Sequence, residues 1–262
     1  MHYLWFIVWA NGYLCTHQIP AFHMPKIPLK LLLFASIALN IIAGYLALSS
    51  YWSKTKKNEL LRTEVPERTL NKSLIHNSLP IDTNSIVFVG NSITERMNWA
   101  EYYQNLNVKD RGIGGDNSLG LKFRIGDIAR QHPKKIFVMM GINDLLIKRP
   151  FDRFVSDYKA AVDSIQLISP NTIIYLQSTL PNSKVNPNYI QQKDIKKLNK
   201  EVELLAEREN VYYINLFDHF LNDEGELSAE YGFDGLHLTL EGYNLWQTII
   251  RPYLPELHIP SI

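Results

Sequence analysis

The sequence is poor in the residues that most often advertise a function. It has one cysteine, Cys15, so no internal disulfide can form and no Cys-rich metal site exists. It has almost no net charge: 27 basic and 26 acidic residues leave a formal +1. No basic excess is available to hold a nucleic acid. His-x-x-x-His and Glu-x-x-His pairs are missing, so the expectation is no bound metal. No Walker lysine occurs. "GIGGDNSLG" (112–120) invites a dinucleotide reading, but its spacing needs Gly or Ala at 117, where Asn117 stands. No repeats or low-complexity tracts are present.

Long, continuously apolar runs are also few. After Lys26 and Lys30 come 22 uncharged residues, Leu31 to Trp52. About 20 apolar residues span a bilayer as a helix. A basic flank before an apolar core is also the plan of a secretory signal, and Ala47 and Ser49 would permit cleavage after Ser49. The expectation is a membrane-targeting segment, anchor or signal, with the globular domain that follows outside the cytoplasm. Lys54, Lys56 and Lys57 follow, so charge alone does not orient it. "YLWFIVWA" (3–10) is too short to span, and Met24 stands where such a signal usually begins. The chain is therefore read as a leader and targeting segment (1–52, core 31–52), a polar linker (53–80) and one globular domain (81–262).

Within that domain, apolar runs alternate with helical patterns. Strands are expected at 86–90, 108–113, 135–141, 172–178 and 211–216. Helices are expected at 99–106, 118–131, 151–168, 194–208 and 239–253, the last capped by Thr239. "KIFVMMG" (135–141) is a near-continuous apolar run, as in a strand covered on both faces. Such alternation builds a parallel sheet between two helical layers, a three-layer α/β/α, flavodoxin-like fold with five strands. Sites in these folds lie beyond the carboxyl ends of the strands.

Three polar signatures fall at those ends, "GNSIT" (90–94), "GIGGD" (112–116) and "GIND" (141–144), and a fourth, "DGLH" (234–237), comes just before the last helix and would gather at the same edge of the sheet. A serine hydroxyl needs a base before it attacks. Asp234 and His237, three apart, could supply a base and the carboxylate that orients it. The N–H groups of Ser92 and Gly115 and the Asn143 amide could receive an oxyanion. The plainer reading of Ser92 is a helix cap, with Glu95 completing a capping box. Position 94 is Thr, so the G-x-S-x-G elbow of α/β-hydrolases is missing.

The four blocks, in this order, resemble the SGNH hydrolases, or GDSL esterase/lipase family, over residues 82–253. The "RGIGGD" form is similar to the branch related to platelet-activating-factor acetylhydrolases. The resemblance implies an esterase with Ser92 as nucleophile, Asp234 and His237 as acid and base, and Ser92, Gly115 and Asn143 as the oxyanion hole. It implies no cofactor. The family usually has Asp before the serine, and here it is Asn91. The expected substrate is a short acyl ester, with acetylated carbohydrate preferred because "LPNSKVNPNYIQQKD" (180–194) is rich in polar side chains. Asn91, Asn182 and Tyr189 are the candidate substrate contacts. The alternatives are a lysophospholipase, and a glycan-binding domain with a decayed site.

Overall fold

In a computed structural model the backbone is described for residues 4–10, 13–19 and 28–257. The chain divides into two units, residues 1–58 and 59–262. The first contains an antiparallel hairpin, β1 (Leu4–Ala10) and β2 (Tyr13–Ile19). Helix α1 runs from Leu29 to Glu64. Among the described residues no helix is long and apolar enough to cross a membrane, so the expected anchor is not supported. The side chains of residues 31–33 and 35, part of its apolar core, lie outside the described set, as does the candidate start at Met24.

The second unit holds five strands: β3 (Ile86–Gly90), β4 (Val108–Gly112), β5 (Lys135–Met139), β6 (Ile173–Gln177) and β7 (Val211–Ile214). They form one sheet in the order β4-β3-β5-β6-β7, and every pair is parallel. Chain order reverses beside β3, which opens a crevice beyond the strand ends. The α/β/α expectation is met.

Successive residues of a strand face opposite sides, and both sides are covered here. Val87, Val89, Ile136, Val138, Ile174 and Leu176 point to one layer. That layer is α5 (Ser118–Ala129), α7 (Phe151–Ile168) and α8 (Gln192–Leu204). Ile86, Phe88, Phe137, Met139 and Tyr175 point to the other, against α4 (Trp99–Tyr102) and α9 (Leu240–Ile250). A ladder of stacked rings crosses the sheet on this side: Phe88 on Phe137 at 4.9 Å and Phe137 on Tyr175 at 4.6 Å. Trp99 covers Phe88, and Trp246 meets Trp99 edge-on at 5.0 Å. Both indole N–H groups find acceptors, Thr94 O and Gln177 Oε1, so neither ring buries an unpaired donor.

Two differences from the sequence reading matter for the site. Residues 53–80, expected as a linker, are largely helical: α1 continues to Glu64 and α2 spans Glu67–Ser78. The buried residues of α2 are Thr69, Ser73 and His76, all polar, so no apolar stripe announces the helix. The expected helix at 99–106 is a single turn, α4, followed by Tyr103 and Gln104, the latter at φ 47°.

Candidate active site

β3 ends at Gly90, and the chain turns at once into a short helix, α3 (Ser92–Glu95). Ser92 is not the cap of this helix, as the capping-box reading had it. Asn91 is: its Oδ1 accepts from the Ile93 N–H at 3.0 Å. Asn91 is 2% exposed, and its side-chain oxygen is taken up by that bond. This leaves Ser92 at the first helical position, with its hydroxyl free of capping duty and its N–H among the orphan donors of a helix start. Ser92 Oγ lies 3.0 Å from His237 Nε2.

His237 sits in a tight loop, 232–238, closed by the Gly232–Leu238 bridge and by Phe233 N–H donating to His237 O. Gly235 has φ +75°, and a β-carbon there would lie 2.7 Å from Ser183 Oγ and from Asn186 N. Only glycine fits that position without displacing the 183–186 loop. Asp234 Oδ2 accepts from His237 Nδ1 at 2.7 Å. Its Oδ1 accepts from the N–H groups of Leu236 and His237, at 3.0 and 2.7 Å. Burial pushes the Asp234 carboxyl up. The backbone and ring N–H of His237 and the N–H of Leu236 outweigh it, and hold Asp234 below the usual carboxylate range. The carboxylate is therefore charged where it faces the imidazole.

β4 ends at Gly112 and leads to the turn containing Gly115, at φ +79° and exposed. Among the described residues neither the Gly115 N–H nor the Ser92 N–H has an acceptor within the protein. The turn is fixed from behind by Glu95, whose Oε2 accepts from Gly114 N–H at 2.7 Å. Lys72 and Arg68 from α2 donate to the same carboxylate, at 2.7 and 3.0 Å. Burial pushes Glu95 up, but the bonds from Lys72, Gly114 and Arg68 hold it low and ionised. Glu95 thus ties the helix that carries Ser92 to the turn that carries Gly115.

β5 ends at Met139, and α6 (Ile142–Leu146) follows. Asn143 Nδ2 donates to Asp116 O at 2.7 Å, which fixes the amide orientation and leaves its second hydrogen for another acceptor. Asp116 is fully buried and paired with Arg124 on α5, Nε to Oδ2 at 2.8 Å. Thr69 Oγ1 donates to its other oxygen at 2.9 Å. Arg124 also donates to Arg111 O and Gly90 O, at 2.8 and 3.1 Å. One guanidinium therefore binds the ends of β3 and β4 together behind the Ser92 and Gly115 turns. Asn117, which breaks the dinucleotide spacing, caps α5 by accepting from Leu119 and Gly120 N–H. Burial raises the Asp144 carboxyl to about 6 against the bonds from Ser118, which sits at the start of α5.

The fold gathers Ser92, Asp234 and His237 into one hydrogen-bonded chain. The other candidates behave differently. Asn182 is fully buried, and its amide faces both the N–H and the C=O of Ile190 at 3.0 Å. Its polarity satisfies loop backbone rather than facing a ligand. Tyr189 lies against Lys184, whose ammonium sits 5.7 Å from its ring centre, beside the Lys184–Glu226 pair. Asn186 donates to Asp234 O at 3.2 Å and so braces the Asp234 turn. Sequence reasoning missed Glu95 as a tie, and Asp116, Arg124 and α2 altogether. The available signal for Arg124 was a charge set among Leu121, Ile125 and Ile128 on an apolar helix face. Among the described residues no cluster of three His, Cys, Asp or Glu could hold a metal ion.

Known proteins place this geometry in a class. The GDSL-like lipase/acylhydrolase family matches residues 88–245, and the chain belongs to it. It is a hydrolase of ester bonds. Rat platelet-activating factor acetylhydrolase IB subunit alpha2 is 28% identical over 179 residues, covering 64% of this chain and 76% of the relative. The human subunit alpha2 aligns equally well. A Streptococcus pneumonia structure described as a candidate platelet activating factor is 25% identical, with a TM-score of 0.63, covering 78% of this chain and 99% of that one. A GDSL-like lipase from Bacteroides thetaiotaomicron shares the fold at 22% identity and a TM-score of 0.61, covering 71% and 97%.

Proposed function

We propose that Ser92, His237 and Asp234 are the catalytic triad of an esterase acting on short acyl groups, acetyl foremost. The observation that carries this is the unbroken chain from Asp234 Oδ2 through His237 to Ser92 Oγ, at 2.7 and 3.0 Å. His237 Nε2 takes the hydroxyl proton as Oγ bonds to the acyl carbon. The carbonyl oxygen becomes an oxyanion facing the Ser92 and Gly115 N–H groups and the second Nδ2 hydrogen of Asn143. As the tetrahedral adduct collapses, His237 gives the proton to the leaving alcohol. Water then repeats the sequence on the acyl-enzyme. Asp234, held ionised, favours the imidazolium that forms in each half.

The acetyl preference is supported by the relatives named acetylhydrolases. Asn182 and Asn186 are committed to loop backbone, so the carbohydrate preference rests on the Asn188 and Tyr189 side chains of the same loop. Export rests on the sequence of residues 26–52 alone, and the mass of the mature chain from fractionated cells tests it. The acyl preference is tested by kcat/KM on 4-nitrophenyl esters from acetate to palmitate. A maximum at acetate or propionate supports the reading, and a maximum at eight carbons or more replaces it with a lipase.

A further inference from the structure

One cation near the site has no role in the steps above. Arg96 lies four residues after Ser92, one helical turn on and on the same face. Its backbone N–H donates to Ser92 O at 3.1 Å, and its side chain is exposed. Among the described residues no carboxylate pairs with it. Its guanidinium instead stands 5.5 Å from the centre of the Phe233 ring. Phe233 in turn lies nearly parallel to the His237 imidazole, at 23° and 6.1 Å between ring centres. Phe233 is 57% exposed. A ring left open to solvent next to an unpaired guanidinium offers both an apolar platform and an anion contact.

The chemistry says which half of the substrate meets them. The carbonyl oxygen points to Gly115 and Asn143. The leaving alcohol must lie against His237 Nε2, because that atom protonates it. Phe233 lies beside the imidazole and Arg96 beside Phe233, so the pair extends from the imidazole on the side where the alcohol leaves. We propose that Arg96 and Phe233 form the alcohol-side subsite and select esters whose alcohol carries an anion, a carboxylate or a phosphate. Phe233 stacks on the body of the alcohol, and the Arg96 fork receives the anionic group. The inference deepens the esterase reading and rests on it for the position of the alcohol.

The test compares kcat/KM for 4-carboxyphenyl acetate, 4-acetoxyphenyl phosphate and neutral phenyl acetate. Each anionic-to-neutral ratio is measured in the wild-type enzyme, R96Q and R96K. The ratio should fall about tenfold in R96Q, equivalent to about 1.4 kcal/mol, with R96K between. The ester with the larger loss identifies which anion the fork prefers. A second readout needs no turnover: calorimetric binding of 4-hydroxybenzoate and of phenol to S92A. The benzoate should bind more tightly, and R96Q in the S92A background should abolish the difference. Equal binding of the two, or an R96Q ratio equal to wild type, overturns the subsite. Failure of the wild-type enzyme to hydrolyse any of the three esters would overturn the esterase reading instead, and the calorimetry would still decide the subsite.

Discussion

Replacing Arg124 with methionine separates the scaffold of the site from its chemistry. The substitution keeps the buried stem and removes the bonds to Asp116 Oδ2, Arg111 O and Gly90 O. It strands a fully buried carboxylate with Thr69 Oγ1 as its remaining side-chain donor. Breaking one partner from a buried ion pair costs about 3–5 kcal/mol, most of it the price of the uncompensated charge. With a urea slope of about 2 kcal/mol per molar, the unfolding midpoint should fall by about 2 M. Asp116→Asn should cost less, because Arg124 keeps two backbone acceptors. The double variant R124M/D116N should be more stable than R124M alone, since the stranded charge is gone. Urea unfolding followed by circular dichroism measures all three. A midpoint for R124M within about 0.3 M of wild type, or strict additivity of the two changes, would refute the view that this pair clamps the ends of β3 and β4.

Two further outcomes follow from the same geometry. Asn143→Ala should lower kcat on 4-nitrophenyl acetate by about 10²- to 10³-fold with little change in KM, as loss of one oxyanion donor does; a loss under threefold in a folded variant would remove Asn143 from the hole. Burial raises the Asp110 carboxyl to about 6, against a bond from Gly112 N–H. A carboxyl raised in the folded state stabilises fully below its unfolded value near 4, and that stability is lost as pH rises through about 6. Asp110→Asn stays neutral, so it should be more stable than wild type at pH 8 by up to about 3 kcal/mol, with the gap closing below about pH 4. Thermal melts at pH 4, 6 and 8 check this, and a constant difference across the three contradicts it.

Much of the domain could be read from residue order because its strands are buried on both faces. Ile86–Gly90 is apolar at every position and Lys135–Met139 at all but its first, and their bounds emerged nearly unchanged. Phe151–Ile168 was legible because Phe154, Tyr158, Ala161 and Ile165 recur at helical spacing and are all buried. Helix α2 was not, because it packs through Thr69, Ser73 and His76 and contributes hydrogen bonds to Asp116 and Glu95, which pattern cannot show. The Ser92, Asp234 and His237 chain followed from chemistry that needs a nucleophile, base and carboxylate at the strand ends. The capping assignment was off by one residue: Asn91 and Ser92 are both good caps, and only backbone geometry decides which turns into the helix. The polar loop at 180–194 was legible only in part. Side-chain amides serve buried backbone as readily as they serve ligands, and Asn182 does the former.

The central claim is that Ser92 Oγ attacks the acyl carbon. The most direct measurement is kcat/KM on 4-nitrophenyl acetate for Ser92→Ala beside the wild-type protein, with both confirmed folded. Loss of the nucleophile should lower the rate by about 10⁴- to 10⁶-fold. A Ser92→Ala protein that hydrolyses the ester within tenfold of wild type would contradict the account.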